Sequence, residues 1–197
     1  DALYPPNEGW TLRNADIDKL ETYAATYDED QNREAPRSLP AFIHASQQTQ
    51  AQGLQVAIEK MRRRKEAGAG GLAIWQWNEP WPAISWALID YYGEPKAAAE
   101  GLRAWYHPLL LSLDFAYPSK KGSTSKNTPF EATLWGINDL SDALKEGQAR
   151  LWQDNQLLWS SSLTLPAHSA RQITTLTINL PHPTAPLRLE LWQHGTP

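Results

Sequence analysis

The chain has 197 residues, a formal net charge of −4 and no cysteine, with a mass of 22.2 kDa and a mean hydropathy of −0.56. Missing cysteine excludes disulfides, thiolate metal sites and cysteine nucleophiles; the acidic balance disfavours a nucleic-acid partner, and no run of about 18 apolar residues is present to cross a bilayer. With 41% apolar and 20% charged residues, the composition is that of a globular chain of one large or two small domains, in a compartment that the missing cysteine does not fix.

The first residue is Asp, not Met, so a start inside a longer product is expected. Asn14 is a good N-cap, with Ile17, Leu20, Tyr23, Ala24 and Tyr27 on one helical stripe behind it. The polar run Asp28–Asn32 ends that helix. Ser38 caps the next one, with Pro40 tolerated in its first turn. Leu54, Ala57, Ile58 and Met61 continue it at i, i+3, i+4, i+7. Its last turn, Arg62–Lys65, places cations at the negative end of the helix dipole and reads as a solvated helix end. Gly68, Gly70 and Gly71 stop it. Gly71–Asn78 is short and nearly all apolar and follows a long helix, as a buried strand of a parallel sheet does. Ala83–Tyr92 reads as a packed loop or short helix, and Pro95–Tyr106 as a final helix.

After His107-Pro108 the texture changes to alternation, rich in Thr, Ser, Leu and Trp. A boundary is expected there, with a helical part over 1–107 and a β part over 108–197. Strands are predicted at Leu109–Tyr117, Phe130–Asn138, Gln148–Gln153, Leu157–Leu165, Ile173–Leu180 and Leu187–Trp192. Lys120–Asn127 is a polar loop, and Asp154-Asn155 a hairpin turn. Six strands in so short a span have the density of an immunoglobulin-like sandwich.

Ten tryptophans and fifteen prolines stand out. Indoles serve as core anchors or as flat platforms for ligands with apolar faces, sugars among them. The densest group is Trp75-Gln76-Trp77-Asn78-Glu79-Pro80-Trp81. An amide and a carboxylate at the end of a strand, ringed by indoles, suit one wall of a sugar pocket. They equally suit core tryptophans beside a carboxylate that caps the next segment. Asp90, between Ile89 and Tyr91, reads as a structural hydrogen-bonding group. Trp135, Trp152, Trp159 and Trp192 form either a sugar platform on the β part or core contacts. The histidines at 44, 107, 168, 182 and 194 lack metal-ligand spacing. Ser160–Ser162 lack a nearby base, and Gly68–Gly71 follow a helix rather than open one. No metal site and no cofactor is expected.

The stretch Gly71–Gly93 followed by Pro95-Lys96 resembles glycoside hydrolase family 2, in its β-mannosidase and exo-β-glucosaminidase branch. That family writes a Gly, an aromatic strand ending W-Q-x-N, then W-P, S-W and D-Y followed by P-K. Ser46-Gln47 and Gln50-Ala51 are similar to its penultimate barrel helix. The resemblance implies an α+β chain: the last part of a (β/α)8 barrel, with residues 71–78 as its eighth strand, followed by an immunoglobulin-like β-sandwich. It implies a cis peptide at Trp75-Gln76, and a substrate-pocket wall made by Trp75, Gln76, Asn78, Glu79 and Trp81. It also implies that both catalytic carboxylates lie before residue 1. The chain would then be the C-terminal part of a retaining β-glycosidase, with no catalytic residue of its own and inactive in isolation. The expected partner is a carbohydrate substrate. A lone barrel strand with two unpaired edges further predicts self-association. The alternative is a non-catalytic carbohydrate-binding or scaffolding module.

Overall fold

The computed structural model describes residues 4–13, 15–27, 36–116, 129–182 and 185–193. The expected Asn14 cap, the Asp28–Asn32 run, Tyr117 and the Lys120–Asn127 loop lie outside them. The chain divides into two compact units. One comprises residues 1–58 and 72–105; the other comprises 59–71 and 106–197.

The first unit is helical. Helix α1, Glu8–Thr11, starts where Asn7 accepts a hydrogen bond from the Gly9 amide at 2.9 Å. Helix α2, Ile17–Thr26, is capped by Asp16, whose carboxylate accepts from the Lys19 amide. Its inner stripe meets the next helix through Trp10, Ala24, Phe42 and Ala45, with Tyr4 and Ile84 packed alongside. Helix α3 runs over Leu39–Arg63. The Ser38 carbonyl accepts its first bond, from the Phe42 amide, and Pro40 sits in the first turn, where its missing N–H costs nothing. Helix α4, Ala97–Trp105, packs with α3 around Ala51, Ile58, Leu88, Ala98 and Trp105.

Residues 71–78 are not a sheet strand. Asn78 alone forms a bridge, parallel, to Ile89, and Ile89 bridges Pro95. The alternation is that of an extended segment: Leu72 and Ile74 pack inward while Trp75 and Trp77 stand out. A strand needs a ladder of bonds to a neighbour, and among the described residues this segment has the single bridge at Asn78.

The second unit carries all six strands of the described residues: β1 Leu109–Asp114, β2 Phe130–Asn138, β3 Leu144–Gln153, β4 Gln156–Leu165, β5 Ser169–Ile178 and β6 Leu187–Gln193. They form two antiparallel sheets, ordered β1-β2-β5 and β4-β3-β6. Alternate residues of both meet in one core of Leu111, Leu134, Leu144, Ala149, Leu151, Leu163, Leu165 and Leu176. Gly136 makes this packing possible, because a Cβ there would lie 2.5 Å from Leu165 Cδ2. The two-residue turn between β3 and β4 is Asp154-Asn155, with Asp154 in the left-handed region at φ 50°, which its short polar side chain tolerates.

The C-terminal end of α3 belongs to this unit. A short 3-10 turn at Lys65–Ala67 follows it, and Gly68 closes that turn at φ 88°. The solvated cationic end expected for Arg62–Lys65 is corrected here, because acidic partners on the strands and their turn neutralise it. Arg63 is buried; it donates to Ser112 Oγ at 2.6 Å and to Asp114 at 2.9 Å. Ser112, fully buried, donates its own hydrogen bond to Glu59 at 2.6 Å. Arg62 and Lys65 each reach Asp139 at 2.7 Å.

Candidate functional site

The candidate wall residues, Trp75, Gln76, Asn78, Glu79 and Trp81, lie on the first unit. Leu72 and Ile74 anchor the extended segment in the α3–α4 core. Backbone bonds hold the residues beyond Ile74: the Leu88 amide to the Gln76 and Trp77 carbonyls at 3.0 and 3.2 Å, Ile89 to the Trp77 carbonyl at 2.9 Å, and Glu79 to the Ile89 carbonyl at 3.2 Å. Helix α3 supplies two side-chain ties. Gln50 donates to the Trp86 carbonyl at 2.8 Å, and Gln47 accepts from the Ala97 amide at 3.2 Å. The Trp75-Gln76 peptide is cis.

On this frame the predicted residues face opposite ways. Trp75 is 80% exposed and Trp77 62%; Trp81 and Asn78 are exposed as well. Glu79 is only 7% exposed. Expected beside Asn78 as a contact for sugar hydroxyls, it instead accepts hydrogen bonds from the Ser85 hydroxyl and from Gln76 Nε2 at 3.4 Å. Gln76 is half-buried and turned the same way. Exposure alternates along this segment: Leu72, Ile74 and Gln76 are half-buried, and the indoles at 75 and 77 stand out.

Below this surface Lys96 donates to the Ser85 carbonyl at 3.0 Å. Partial burial holds the ammonium below its usual pKa, and the nearby charges of Glu79 and Asp90 work against that shift. Asp90 has the structural role read from its setting: Oδ1 accepts from the amides of Tyr92 and Glu94 at 2.8 and 2.9 Å. Sequence reasoning missed Arg13, which donates to the Pro82 carbonyl at 2.8 Å and accepts at its own carbonyl from Ile84. It also missed Lys19, whose ammonium lies 4.7 Å from the Trp86 ring. Neither sits in a local motif that signals such a contact.

The four tryptophans of the β part separate. Trp159 packs against the core. Trp135 belongs to β2, and its indole N–H is buried without a hydrogen-bond partner. Trp152 and Trp192 share a face of the β3–β6 pair, where both donate to one oxygen of Glu190 at 2.9 Å. The Trp192 bond is the main cause of a lowered Glu190 pKa, and Arg188, Trp152 and Arg150 act in the same direction against partial desolvation. The Arg150 guanidinium lies 4.2 Å from the Trp192 ring and Arg188 5.7 Å from Trp152.

No family model matches the chain. Beta-mannosidase B of Emericella nidulans is 34% identical over 145 residues, covering 73% of this chain and 17% of that protein. Beta-mannosidase B of Aspergillus niger is 33% identical over 150 residues, covering 70% and 16%. The chain therefore spans about a sixth of the length of these relatives. Among solved structures, the beta-D-mannosidase of Dictyoglomus thermophilum superimposes with a TM-score of 0.74 at 20% identity, over 98% of this chain and 22% of that one. The exo-chitosanase of Amycolatopsis orientalis, in complex with PNP-beta-D-glucosamine, gives 0.56 at 18% identity, over 97% and 25%. In sequence and in fold, the chain is a β-mannosidase-like piece of glycoside hydrolase family 2.

Proposed function

We propose that the chain is the C-terminal part of a retaining β-glycosidase acting on terminal β-linked sugars. In this reading residues 1–107 are the last part of a (β/α)8 barrel, and residues 108–197, with the two sheets, form an immunoglobulin-like support domain. The observation that carries it is the outward indole of Trp75 beside the exposed Asn78, on a segment whose inner side is fixed by Glu79 and Ser85. An indole face packs on the C–H groups of a pyranose, and a neighbouring amide binds its hydroxyls. Trp75, Asn78 and Trp81 are then the wall of the sugar pocket. Gln76 and Glu79 hold it in shape as positioning residues.

Retaining hydrolysis takes two carboxyl groups about 5–5.5 Å apart, one as nucleophile and one as acid then base. The family resemblance puts that pair upstream of residue 1, and this reading keeps it there; within the wall the buried acid, Glu79, accepts from Ser85 and Gln76. The test is hydrolysis of p-nitrophenyl β-mannoside by this chain and by a longer polypeptide that continues upstream of it. The expected outcome is no turnover by the chain, turnover by the longer form, and a loss of about 10- to 100-fold in kcat/KM for its Trp75→Ala variant. Turnover by the isolated chain, or an unaltered kcat/KM in that variant, would overturn the reading.

A further inference from the structure

The outer face of the β4-β3-β6 sheet holds a groove of about 460 Å3, lined by Glu146, Gln148, Arg150, Ser162, Thr164 and Trp192, with Lys145 beside them. That volume lies within the roughly 300–1,000 Å3 of small-molecule sites. The strand register builds it, since Gln148 stands opposite both Ser162 on β4 and Trp192 on β6. Trp192 is fixed before any ligand arrives, with its indole N–H on Glu190 at 2.9 Å and Arg150 against its ring. A ring held in place by the protein loses little freedom on binding.

The polar groups of this face are tied to one another. Arg150 donates through Nε and Nη2 to Gln148 Oε1 at 3.0 and 2.6 Å, and Arg188 pairs with Glu190 at 3.3 Å. Glu146 and Lys145 carry opposite signs at one end. Arg150 meets a neutral amide and the Trp192 ring, so the groove keeps one guanidinium beside its hydroxyls. It offers hydroxyls, an amide, a carboxylate and one immobilised indole, which is the chemistry that recognises a neutral polyol.

We infer that this groove is a second saccharide site, separate from the Trp75 wall, that takes a neutral oligosaccharide of β-linked hexoses. The choice of β-linked hexoses rests on the proposed glycosidase function; the groove itself does not. The experiment is calorimetric titration of this chain with β-1,4-mannohexaose, repeated with Trp192→Ala, Ser162→Arg and Trp75→Ala. Ser162 is exposed on its strand, so the arginine fills the groove while the fold is preserved, as circular dichroism will verify. The expected result is saturable binding, weakened about tenfold or more by Trp192→Ala and by Ser162→Arg, and changed by less than about twofold in Trp75→Ala. Absence of saturation in the unaltered chain overturns the proposal, as does binding that survives Ser162→Arg and disappears in Trp75→Ala. A longer polypeptide without glycosidase activity would defeat the proposed glycosidase function and leave this titration as it stands.

Discussion

Ser112 shows how much a small side chain can carry. Its hydroxyl is fully buried; it accepts from Arg63 and donates to Glu59. Removing it strands a buried guanidinium and a buried carboxylate by one hydrogen bond each, and an unmet buried polar group costs about 1–3 kcal/mol. Ser112→Ala is therefore expected to lower stability by about that amount in urea unfolding. Ser161→Ala, at an exposed position whose hydroxyl meets only its neighbour's carbonyl, should stay within about 0.5 kcal/mol of the unaltered chain. Equal effects from the two would contradict this account. The opposite orientations of Asn78 and Glu79 are also residue-scale facts, and the sequence did not disclose them. The dipeptide shows two polar groups in a row, whereas Ser85 and the Ile89 bridge decide which one turns in.

At the scale of elements, the end of helix α3 is tied to the residue after β2 by one carboxylate serving two cations. Partial burial of Asp139 opposes its ionisation, but hydrogen bonds and charge from Lys65 and Arg62 outweigh it and hold the pKa below its ordinary 3.8. A carboxyl depressed in the folded state stabilises that state above the unfolded pKa, and the contribution is lost as pH falls through the folded value. Asp139 is 40% exposed, so solvent screening limits the effect to about 0.5–1 kcal/mol. Comparison with Asp139→Asn should show the full difference at about pH 6 and a shrinking one below 3.8. A difference that instead grew in acid would reject the assignment.

The six strands were legible because alternation survives without knowledge of partners: Ala132, Leu134 and Gly136 are buried and Glu131 is exposed, as the pattern requires. The segment 71–78 was misread because an apolar run looks alike whether or not a neighbour pairs with it. The basic run 62–65 was misread for a related reason, since its partners Asp114 and Asp139 lie 51 and 77 residues from the arginines they bind. The groove on β3, β4 and β6 was equally hidden, because Gln148, Ser162 and Trp192 meet only through the sheet register.

At the scale of the molecule, the first unit carries unusual apolar exposure. Trp75, Trp77, Trp81, Trp86, Tyr91 and Tyr92 are 45% to 80% exposed within one stretch of chain, and the extended segment among them pairs through a single bridge. Large aromatic side chains exposed in such number suit an interaction surface. In the proposed parent it is divided between the sugar pocket and the rest of the barrel. In the isolated chain we expect concentration-dependent self-association, with the molar mass from light scattering rising above 22.2 kDa and returning toward it in a Trp77→Ser, Tyr92→Ser double variant. A constant monomer mass at all concentrations would remove that expectation.

The oxygen of Glu190 that receives both Trp152 and Trp192 couples three positions. A lineage that loses the acid leaves two indole donors without their acceptor at once, so drift at 190 should be accompanied by smaller or non-indole residues at 152 and 192. The trio is expected to be inherited whole or dismantled whole.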